Sequence, residues 1–368
     1  MTDILQVHAS ALPRIMSCVG SVALARQAPK PEQHDVSEEG VAAHWLGEQF
    51  FRGRAVGLAP GVKAPNGHVC DADMFDHIRE FHHRFNNADL LQAVEAPTHW
   101  SPPVVNPAFQ VRGKADLTQW FAERRTLAIT DLKYGFRYVD AEWNWQLLAY
   151  AIGVAMNAGL QPDKFILAIY QPRGPGEPLR YWEASPQEVF EAYNRICDRL
   201  TYAVGGADEL VTGPHCRYCP AAAGCPATER AAYAAIDVAM NSGVFAVREE
   251  TMASELELLE RASEMLKQRK TWIEGAALAA MKDGRPVPGL SSKPILGHTT
   301  WLPGAETKLR ELQSDNQRFF DEVPVTPAEA KRRGLSEDEY KALTHRPLRG
   351  HKLITAKAGA SAAAKAFK

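Results

Sequence analysis

Two acids and a lysine occupy neighbouring stretches near the middle of the chain. Asp116 ends the run Gly-Lys-Ala-Asp, Asp131 and Lys133 form an Asp-x-Lys triplet, and Gln146 and Tyr150 follow four residues apart. Two carboxylates beside one ammonium can hold a hard divalent cation and orient an anionic group. That combination suits hydrolysis of a phosphodiester bond.

These residues lie in a predicted β-hairpin. Val111–Trp120 and Thr126–Leu132 are short β-rich runs, and the polar segment Glu123–Arg125 separates them. Because side chains alternate between the faces of a strand, Asp131 and Lys133 project to one side, and Asp116 on the partner strand can face them. For the triplet alone, the alternative is an ordinary solvated strand face.

The remaining elements predict an α/β fold in which helices flank a mixed sheet. Residues 1–58 read as helical, and Ser185 is the predicted N-cap of a helix that runs to Val204. The other predicted elements are helices over Asp71–Asn87 and Ala141–Gly159, strands over Gln92–Trp100 and Lys164–Tyr170, and an edge strand over Tyr181–Glu183.

The C-terminal third reads as a separate, mainly helical region. Thr251–Met281 carries an apolar stripe among charged residues, which predicts one long amphipathic helix, and helices are predicted over Glu306–Gln313 and Pro327–Leu343. We therefore predict a first domain over residues 1–235, an accessory region over 236–340 and a tail over 341–368. The tail is basic and has no acidic residue, which fits either a flexible extension or an arm that grips DNA.

Three cysteines form a compact cluster. Cys216, Cys219 and Cys225 occur in a Pro- and Gly-rich stretch, and Cys18 near the N-terminus is a candidate fourth ligand. Soft thiolates at this spacing suit Zn²⁺ or an iron–sulfur cluster. Cys70 and Cys197 fit no ligand pattern and are predicted to be packed small hydrophobic residues.

Length and composition set the outer limits. A chain of 368 residues that is 45% hydrophobic can bury a large core, and its length suggests about two domains. No apolar run is long enough to span a membrane and no secretion signal is evident, so we expect a cytoplasmic protein without a membrane partner. The net charge of −2 gives no overall support for nucleic-acid binding, so any DNA contact must be a local basic patch.

Together with the upstream Gly40-x-x-x-His44, the acids, Lys133, Gln146 and Tyr150 resemble the PD-(D/E)XK nuclease superfamily, in its RecB/Cas4/AddB-like branch. The resemblance covers residues 10–230 and implies a restriction-endonuclease-like core. It also implies that one cysteine before the core and three after it, here Cys18 and the three-cysteine cluster, bind a [4Fe–4S] cluster, with Zn²⁺ as the alternative.

The resemblance assigns roles around the acids. It implies that Mg²⁺ or Mn²⁺ is held by His44, Asp116, Asp131 and the backbone carbonyl of Leu132, and that Lys133 orients the attacking water. Gln146 and Tyr150 would contact the DNA backbone or brace the site. From position alone, Glu95 on the preceding strand is a further acid near the metals or else an edge-strand carboxylate. Glu39 and Glu48 flank His44 in sequence, and either one could support the metal ligands from outside.

Two stretches, Ser37–His44 and Asp131–Leu147, are similar to the phage-encoded DUF2800 group of this superfamily. This similarity implies a metal-dependent exonuclease that acts on free DNA ends during phage recombination or replication in a bacterial host cell. A recombination or single-strand-annealing protein is an expected partner, and homo-oligomerisation stays open. The alternatives are a catalytically silent DNA-binding or assembly module and a nuclease for RNA or branched DNA.

Overall fold

The computed structural model describes residues 4–28, 35–86, 91–105, 107–241, 252–296, 299–302, 304–313, 319, 325–346 and 348–355. It divides the chain into two compact units, Met1–Arg269 and Lys270–Lys368. The division falls later than the predicted end of the first domain at residue 235, because the first part of the long C-terminal helix belongs to the first unit.

A six-stranded mixed sheet forms the centre of the first unit. Its strands are β1 (Leu5–His8), β2 (Leu91–Trp100), β3 (Phe109–Phe121), β4 (Thr126–Leu132), β5 (Lys164–Tyr170) and β6 (Leu179–Ala184). The order is β1-β3-β4-β5-β6, and β2 also pairs with β3. The β1–β3 and β4–β5 pairs are parallel and the others antiparallel, which confirms the predicted mixed sheet.

Helices pack on both faces of this sheet. The helices of this part of the chain are α1 (Leu12–Ser17), α2 (Ser21–Gln27), α3 (Asp35–Phe51), α4 (Ala72–Phe85), α5 (Trp145–Ala158), α6 (Pro186–Val204), α7 (Pro226–Asn241) and α8 (Met252–Lys282), which continues past the boundary at Arg269. Residues of α1, α5 and α6 share one apolar core with the sheet, and those of α3 and α4 share another. The fold class is therefore α/β with helices on both sides of the sheet.

Strand alternation decides which core each side chain of β4 enters. Leu127 and Ile129 pack in the core with α5, whereas Leu132 packs in the core with α3 and α4. A period of two places Asp131 on the α5 side with Ile129. The predicted opposition of Asp131 and Leu132 is confirmed.

Several helix ends follow from local chemistry. Asn144 caps α5 by accepting hydrogen bonds from the N–H groups of Gln146 and Leu147, and Gly159 ends α5 in the left-handed conformation. Ser185 caps α6 in a capping box with Glu188, as predicted. The strand over Lys164–Tyr170 and the helix that ends at Val204 have the predicted bounds.

The prediction of helix throughout residues 1–58 is wrong at Leu5–His8. This short segment is β1, which pairs in parallel with Phe109–Arg112. Four residues carry little local preference, and the pairing that makes them a strand comes from a segment about 100 residues away.

The second unit contains small sheets and short helices beyond the end of α8. Its elements are β7 (Leu290–Leu296), β8 (Thr300–Trp301), α9 (Ala305–Leu312), α10 (Pro327–Arg332), α11 (Glu337–Leu343), β9 (Thr344–His345) and β10 (Leu348–Thr355). The single helix predicted over Pro327–Leu343 is two helices, because Gly334 at φ +102° reverses the chain and Ser336 caps α11.

Part of the predicted basic tail is structured. β10 pairs with β7 in an antiparallel sheet, so residues 348–355 are not a flexible extension. The backbone hydrogen bonds of this pairing were not evident from the basic composition. Residues 356–368, with the last lysines of the tail, lie outside the described residues, as do Asn87 and Thr251 at the ends of two predicted helices. Within the described part of the chain, no helix is both long and apolar enough to cross a membrane.

Candidate active site

Asp131 lies at the end of β4 and is almost completely buried. Its side chain is 2% exposed, and its Oδ2 atom lies 2.8 Å from Nζ of Lys133. This contact is an ion pair, and the other carboxylate oxygen, Oδ1, accepts a hydrogen bond from Gln146. Burial raises the pKa of the Asp131 carboxyl although the Lys133 ammonium opposes that rise.

Gln146 holds the two members of this pair in place. Its amide nitrogen donates to Oδ1 of Asp131 at 3.1 Å and to the Tyr150 hydroxyl at 2.9 Å, and its amide oxygen accepts from Lys133 at 3.0 Å. Gln146 and Tyr150 share a face of α5 because they are four residues apart. Two roles were predicted for Gln146, contact with the DNA backbone and bracing of the site. These hydrogen bonds are of the kind expected for bracing.

A glycine on β3 makes room for this arrangement. A Cβ atom on Gly113 would lie 2.6 Å from Cε1 of Tyr150, closer than two carbon atoms can approach. Gly113 thus lets the Tyr150 ring lie directly against β3, with the hydroxyl at Gln146. Burial raises the pKa of the Tyr150 hydroxyl, so it remains a neutral hydrogen-bonding group.

Asp116 lies on β3 beside the end of β4. Its carboxylate accepts a hydrogen bond from the backbone N–H of Leu132 at 2.7 Å and contacts Nδ1 of His44 at 3.2 Å. Burial disfavours ionisation of Asp116, but the His44 imidazole and the Leu132 N–H lower the pKa of the carboxyl below its ordinary value. Asp116 is therefore a carboxylate under ordinary conditions.

His44 reaches the sheet from α3. Burial by itself lowers the pKa of this imidazole, yet the carboxylates of Asp116 and Asp131 raise it to about 9. The raised pKa of His44 indicates a strongly negative electrostatic potential at this position. The same potential would attract a divalent cation.

Glu95 completes an acidic group with His44 and Asp116. One ligand atom from each of these three side chains lies within 4.8 Å of the other two. Glu95 has a φ of +51°, in the left-handed region that residues other than glycine rarely adopt, and it interrupts the pairing of β2 with β3 opposite Asp116. Strained backbone of this kind is concentrated at functional sites.

The donor set fits a hard divalent cation. It offers carboxylate oxygens from Glu95 and Asp116 and one imidazole nitrogen from His44, all within 4.8 Å of one another. Asp131 is outside this group of three, and its Oδ2 atom contacts Lys133. Mg²⁺ and Mn²⁺ prefer such oxygen-rich ligands. The predicted members His44, Asp116, Asp131, Lys133, Gln146 and Tyr150 are thus brought together, and Glu95 joins them.

The two acids that flank His44 in sequence each pair with an arginine. Glu39 pairs with Arg173 at 2.5 Å, and Glu48 pairs with Arg52 at 3.0 Å. Burial chiefly raises the pKa of the Glu95 carboxyl, and the negative charges of Asp116 and Glu48 add to the rise.

The four predicted cysteine ligands line one small enclosed cavity. Cys18 follows α1, Cys216 lies in the first of two short 3₁₀ turns between α6 and α7, and Cys219 and Cys225 directly follow the two turns. Burial raises the pKa of the Cys216 and Cys219 thiols, and the neighbouring thiols add to the rise. The two ends of the first unit are thus joined at this cavity, which we call the thiol pocket.

Backbone contacts hold Cys18 in the thiol pocket. Its sulfur accepts a hydrogen bond from the N–H of Val211 at 3.5 Å. The next turn passes so close to the segment before Val211 that a Cβ atom on Gly20 would lie 2.8 Å from backbone atoms of Asp208 and Glu209. A larger residue at position 20 would push these two parts of the chain apart.

The spacing of the thiols is wider than a single metal ion requires. Among the described residues, no three of these sulfurs lie within 4.8 Å of one another, whereas ligand atoms of His44, Glu95 and Asp116 do. In a tetrahedral Zn²⁺ site with Zn–S bonds of about 2.3 Å, the sulfurs lie about 3.8 Å apart. The arrangement therefore fits a group larger than one ion.

Cys70 is fully buried in the core of α3 and α4, and Cys197 packs against the other core, as predicted for small hydrophobic residues. The sequence reasoning did not identify Gln171, which is 1% exposed and follows β5. Its side chain binds three backbone groups of the loop after Lys133. A polar residue directly after a wholly apolar strand was the only signal for it.

Comparisons with known proteins give a family but no activity. A model of the family described as "Protein of unknown function (DUF2800)" matches residues 6–331. No curated protein matches the chain. A solved structure described as "Crystal structure of SSO0001" aligns at 12% identity over 62% of this chain and 89% of that chain, with a TM-score of 0.34.

Proposed function

The chain belongs to the DUF2800 family, and from the site that it builds we propose that it is a metal-dependent DNA nuclease of the PD-(D/E)XK kind, acting from DNA ends. The observation that carries this proposal is the convergence of Glu95 on β2, Asp116 on β3 and His44 beside Asp131 and Lys133 at the end of β4. A solvated hairpin face would not bury Asp131 or support it with Gln146.

His44, Glu95, Asp116, Asp131 and the carbonyl of Leu132 are the proposed ligands of Mg²⁺ or Mn²⁺. A divalent cation supplies a bound water of lowered pKa and polarises a phosphoryl oxygen. The protein's own residues do the remaining work of orientation, charge balance and exclusion of water.

Lys133 is the residue proposed to act on the scissile phosphate. Its ammonium is held between Asp131 and Gln146 and remains partly exposed. Burial opposes its charge, but the Asp131 carboxylate raises the pKa of Lys133, so the side chain is a cation at neutral pH. It can therefore orient the attacking water and offset negative charge that develops on the phosphate oxygens.

Gln146 and Tyr150 are positioning residues in this proposal. Gln146 fixes the direction of both Asp131 and Lys133, and the Tyr150 hydroxyl accepts from its amide nitrogen. A network whose members are all hydrogen-bonded keeps reacting groups in place without reorganisation during the reaction.

The thiol pocket is proposed to hold a [4Fe–4S] cluster with a structural role. The spacing of its sulfurs supports the cluster over Zn²⁺, the alternative ligand. Anaerobically purified protein should be coloured, and iron and sulfide should be present at about four atoms of each per chain. One zinc ion per chain and no colour would contradict the cluster.

Cleavage of end-labelled linear and circular DNA with Mg²⁺ or Mn²⁺ tests the nuclease. We expect linear DNA to be degraded and closed circles to remain, and Asp131→Asn or Lys133→Met to lower the rate by at least about 10²- to 10³-fold. Asp163→Asn is the matched control, because Asp163 is exposed and pairs with Arg125 at the far end of the hairpin.

Two outcomes separate this proposal from its main alternative. If wild-type protein with a loaded thiol pocket cuts no form of DNA, the nuclease proposal fails. DNA binding without any metal-dependent cleavage would then favour a silent assembly module.

A further inference from the structure

The loop that follows Lys133 exposes large aromatic side chains next to the candidate active site. Phe136 is 63% exposed and Tyr138 is 51% exposed. Phe136 is three residues from Lys133, so the two Cα atoms are at most about 11 Å apart. Large apolar side chains held in water at such a place call for an explanation.

Side chains that follow β5 or lie on β6 hold the backbone of this loop in place. The buried Gln171 side chain donates to the carbonyl oxygens of Gly135 at 2.7 Å and Arg137 at 2.6 Å, and it accepts from the N–H of Val139 at 3.3 Å. Arg180 donates to the Val139 carbonyl at 2.9 Å. The backbone is therefore fixed while the aromatic rings face solvent.

Arginines accompany the aromatic rings of this loop. The Arg173 guanidinium lies 4.0 Å from the centre of the Phe136 ring, and Arg180 lies 4.6 Å from the centre of the Tyr138 ring. Planar cations and aromatic rings together form the kind of surface on which nucleic-acid bases stack next to their phosphates.

A third exposed ring comes from the thiol pocket. Tyr218 lies between Cys216 and Cys219 and is 71% exposed. Arg217, the residue before Tyr218, connects this ring to the loop after Lys133 through a carboxylate of α8.

A carboxylate of α8 connects the two segments. Oε1 of Glu264 lies 3.6 Å from Arg137, next to Phe136 and Tyr138, and 3.2 Å from Arg217, next to Tyr218. One oxygen atom that contacts both guanidinium groups keeps these segments side by side. The three rings thus belong to one region around Lys133.

We propose that Phe136, Tyr138 and Tyr218 form a stacking surface that binds the unpaired bases of single-stranded DNA entering the site. This inference rests on the proposed nuclease function and names its substrate class. In a duplex, the base faces are covered by neighbouring base pairs, so only an unpaired strand can use this surface.

The first experiment measures binding by the full chain in EDTA, so that no cleavage occurs. The probes are a fluorescent oligothymidine, the same strand with abasic positions, and a duplex of equal length. We expect the abasic strand and the duplex to bind about tenfold more weakly than the intact strand, because base stacking contributes about 1–3 kcal/mol per base. Equal affinity for the intact and abasic strands would overturn the stacking surface.

Substitutions of single aromatic residues test which side chains cause the difference in affinity between intact and abasic strands. Phe136→Ala and Tyr218→Ala should bind the intact strand about as weakly as the wild-type protein binds the abasic strand, and Phe136→Trp should retain tight binding. Tyr181→Ala is the matched control, because Tyr181 on β6 is also 63% exposed but lies outside the loop and the thiol pocket. An equal loss in Tyr181→Ala would contradict the assignment to these residues.

Cleavage kinetics distinguish failure of this inference from failure of the nuclease proposal. Phe136→Ala should raise KM for a single strand about tenfold and leave kcat within about threefold. Wild-type protein that cuts single and double strands equally, with no change in Phe136→Ala, would overturn the inference and leave the nuclease. If the protein cuts no DNA but binds the single strands as expected, the stacking surface stands and the nuclease proposal is overturned. If an oligouridine of the same length binds more tightly than the oligothymidine, the assignment to DNA is overturned.

Discussion

The acidic site contains its own counter-ions, whereas the thiol pocket is lined mainly by small and apolar groups. Asp131 contacts Lys133 and Asp116 contacts His44, so the carboxylates are already paired. The four thiols instead face residues such as Leu24 and Leu210. The first site therefore has internal ion pairs that help to organise it, and the second would become a cross-link only if its sulfurs bind a common metal ion or cluster.

The two sites also differ in how far along the chain their residues lie. The acidic site is carried by adjacent strands and by α3 and α5, which pack on them. The thiol pocket joins Cys18 to three cysteines about 200 residues later. We therefore expect changes at the acidic site to lower activity and changes at the thiol pocket to lower stability.

The largest effect should come from Cys219→Ser. Removing a ligand releases a cross-link around almost the whole first unit, and by analogy with disulfides of similar loop length it should lower the free energy of unfolding by about 3–5 kcal/mol. Urea denaturation of anaerobically purified protein measures this free energy of unfolding. Cys197→Ser is the control, because Cys197 lies on α6 outside the pocket, and an equal loss in both variants would contradict the difference between the sites.

Gln146→Ala should have the opposite result, with cleavage lowered and the thiol pocket unchanged. It leaves Asp131 and Lys133 without their shared partner, and loss of such a supporting residue at a metal site costs about 10- to 100-fold in activity or metal affinity. We expect single-turnover cleavage to fall by this factor while the visible absorbance of the thiol pocket stays unchanged. An unchanged cleavage rate would show that the network does not position the reacting groups.

Two glycine substitutions compare the sites through packing alone. Gly113→Ala collides with Tyr150, and Gly20→Ala collides with the backbone before Val211, so each should lower stability by about 1–3 kcal/mol. Gly113→Ala should reduce cleavage but keep full iron content, and Gly20→Ala should reduce iron content. Iron analysis and cleavage of the same preparations test this, and identical profiles would contradict the separation.

Removal of divalent cations should have the smallest effect on stability. EDTA should stop cleavage, but a cation present at ten times its Kd adds only about 1.4 kcal/mol to the free energy of unfolding. The internal pairs of Asp131 with Lys133 and Asp116 with His44 should keep the acidic site folded. A thermal melt in EDTA that resembles that of Cys219→Ser would show that the acidic site depends on its metal for structure.

The elements with strong local signals were predictable. The apolar run Lys164–Tyr170 and the Ser185–Glu188 capping box have the predicted bounds, and alternation along β4 placed Asp131 and Lys133 together. These features depend on neighbouring residues, which a sequence displays directly.

Features that depend on distant contacts were not predictable in the same way. The pairing of β1 with β3 and the positive φ of Glu95 are imposed by tertiary structure. Gln171 was missed because a single glutamine does not reveal which loop it will bind. The break between α10 and α11 had local signals in Gly334 and Ser336, and reading them as a helix end and a new cap would have found it.

The position of Cys18 has a consequence for synthesis of the chain. Its thiol leaves the ribosome more than 200 residues before Cys225, and at about 5–20 residues per second that interval is about 10–40 s. During this time β1 also waits for the segment that will become β3. The nascent chain therefore carries an unpaired β1 until β3 has emerged, and an uncovered Cys18 thiol for about another 100 residues, until Cys225 emerges.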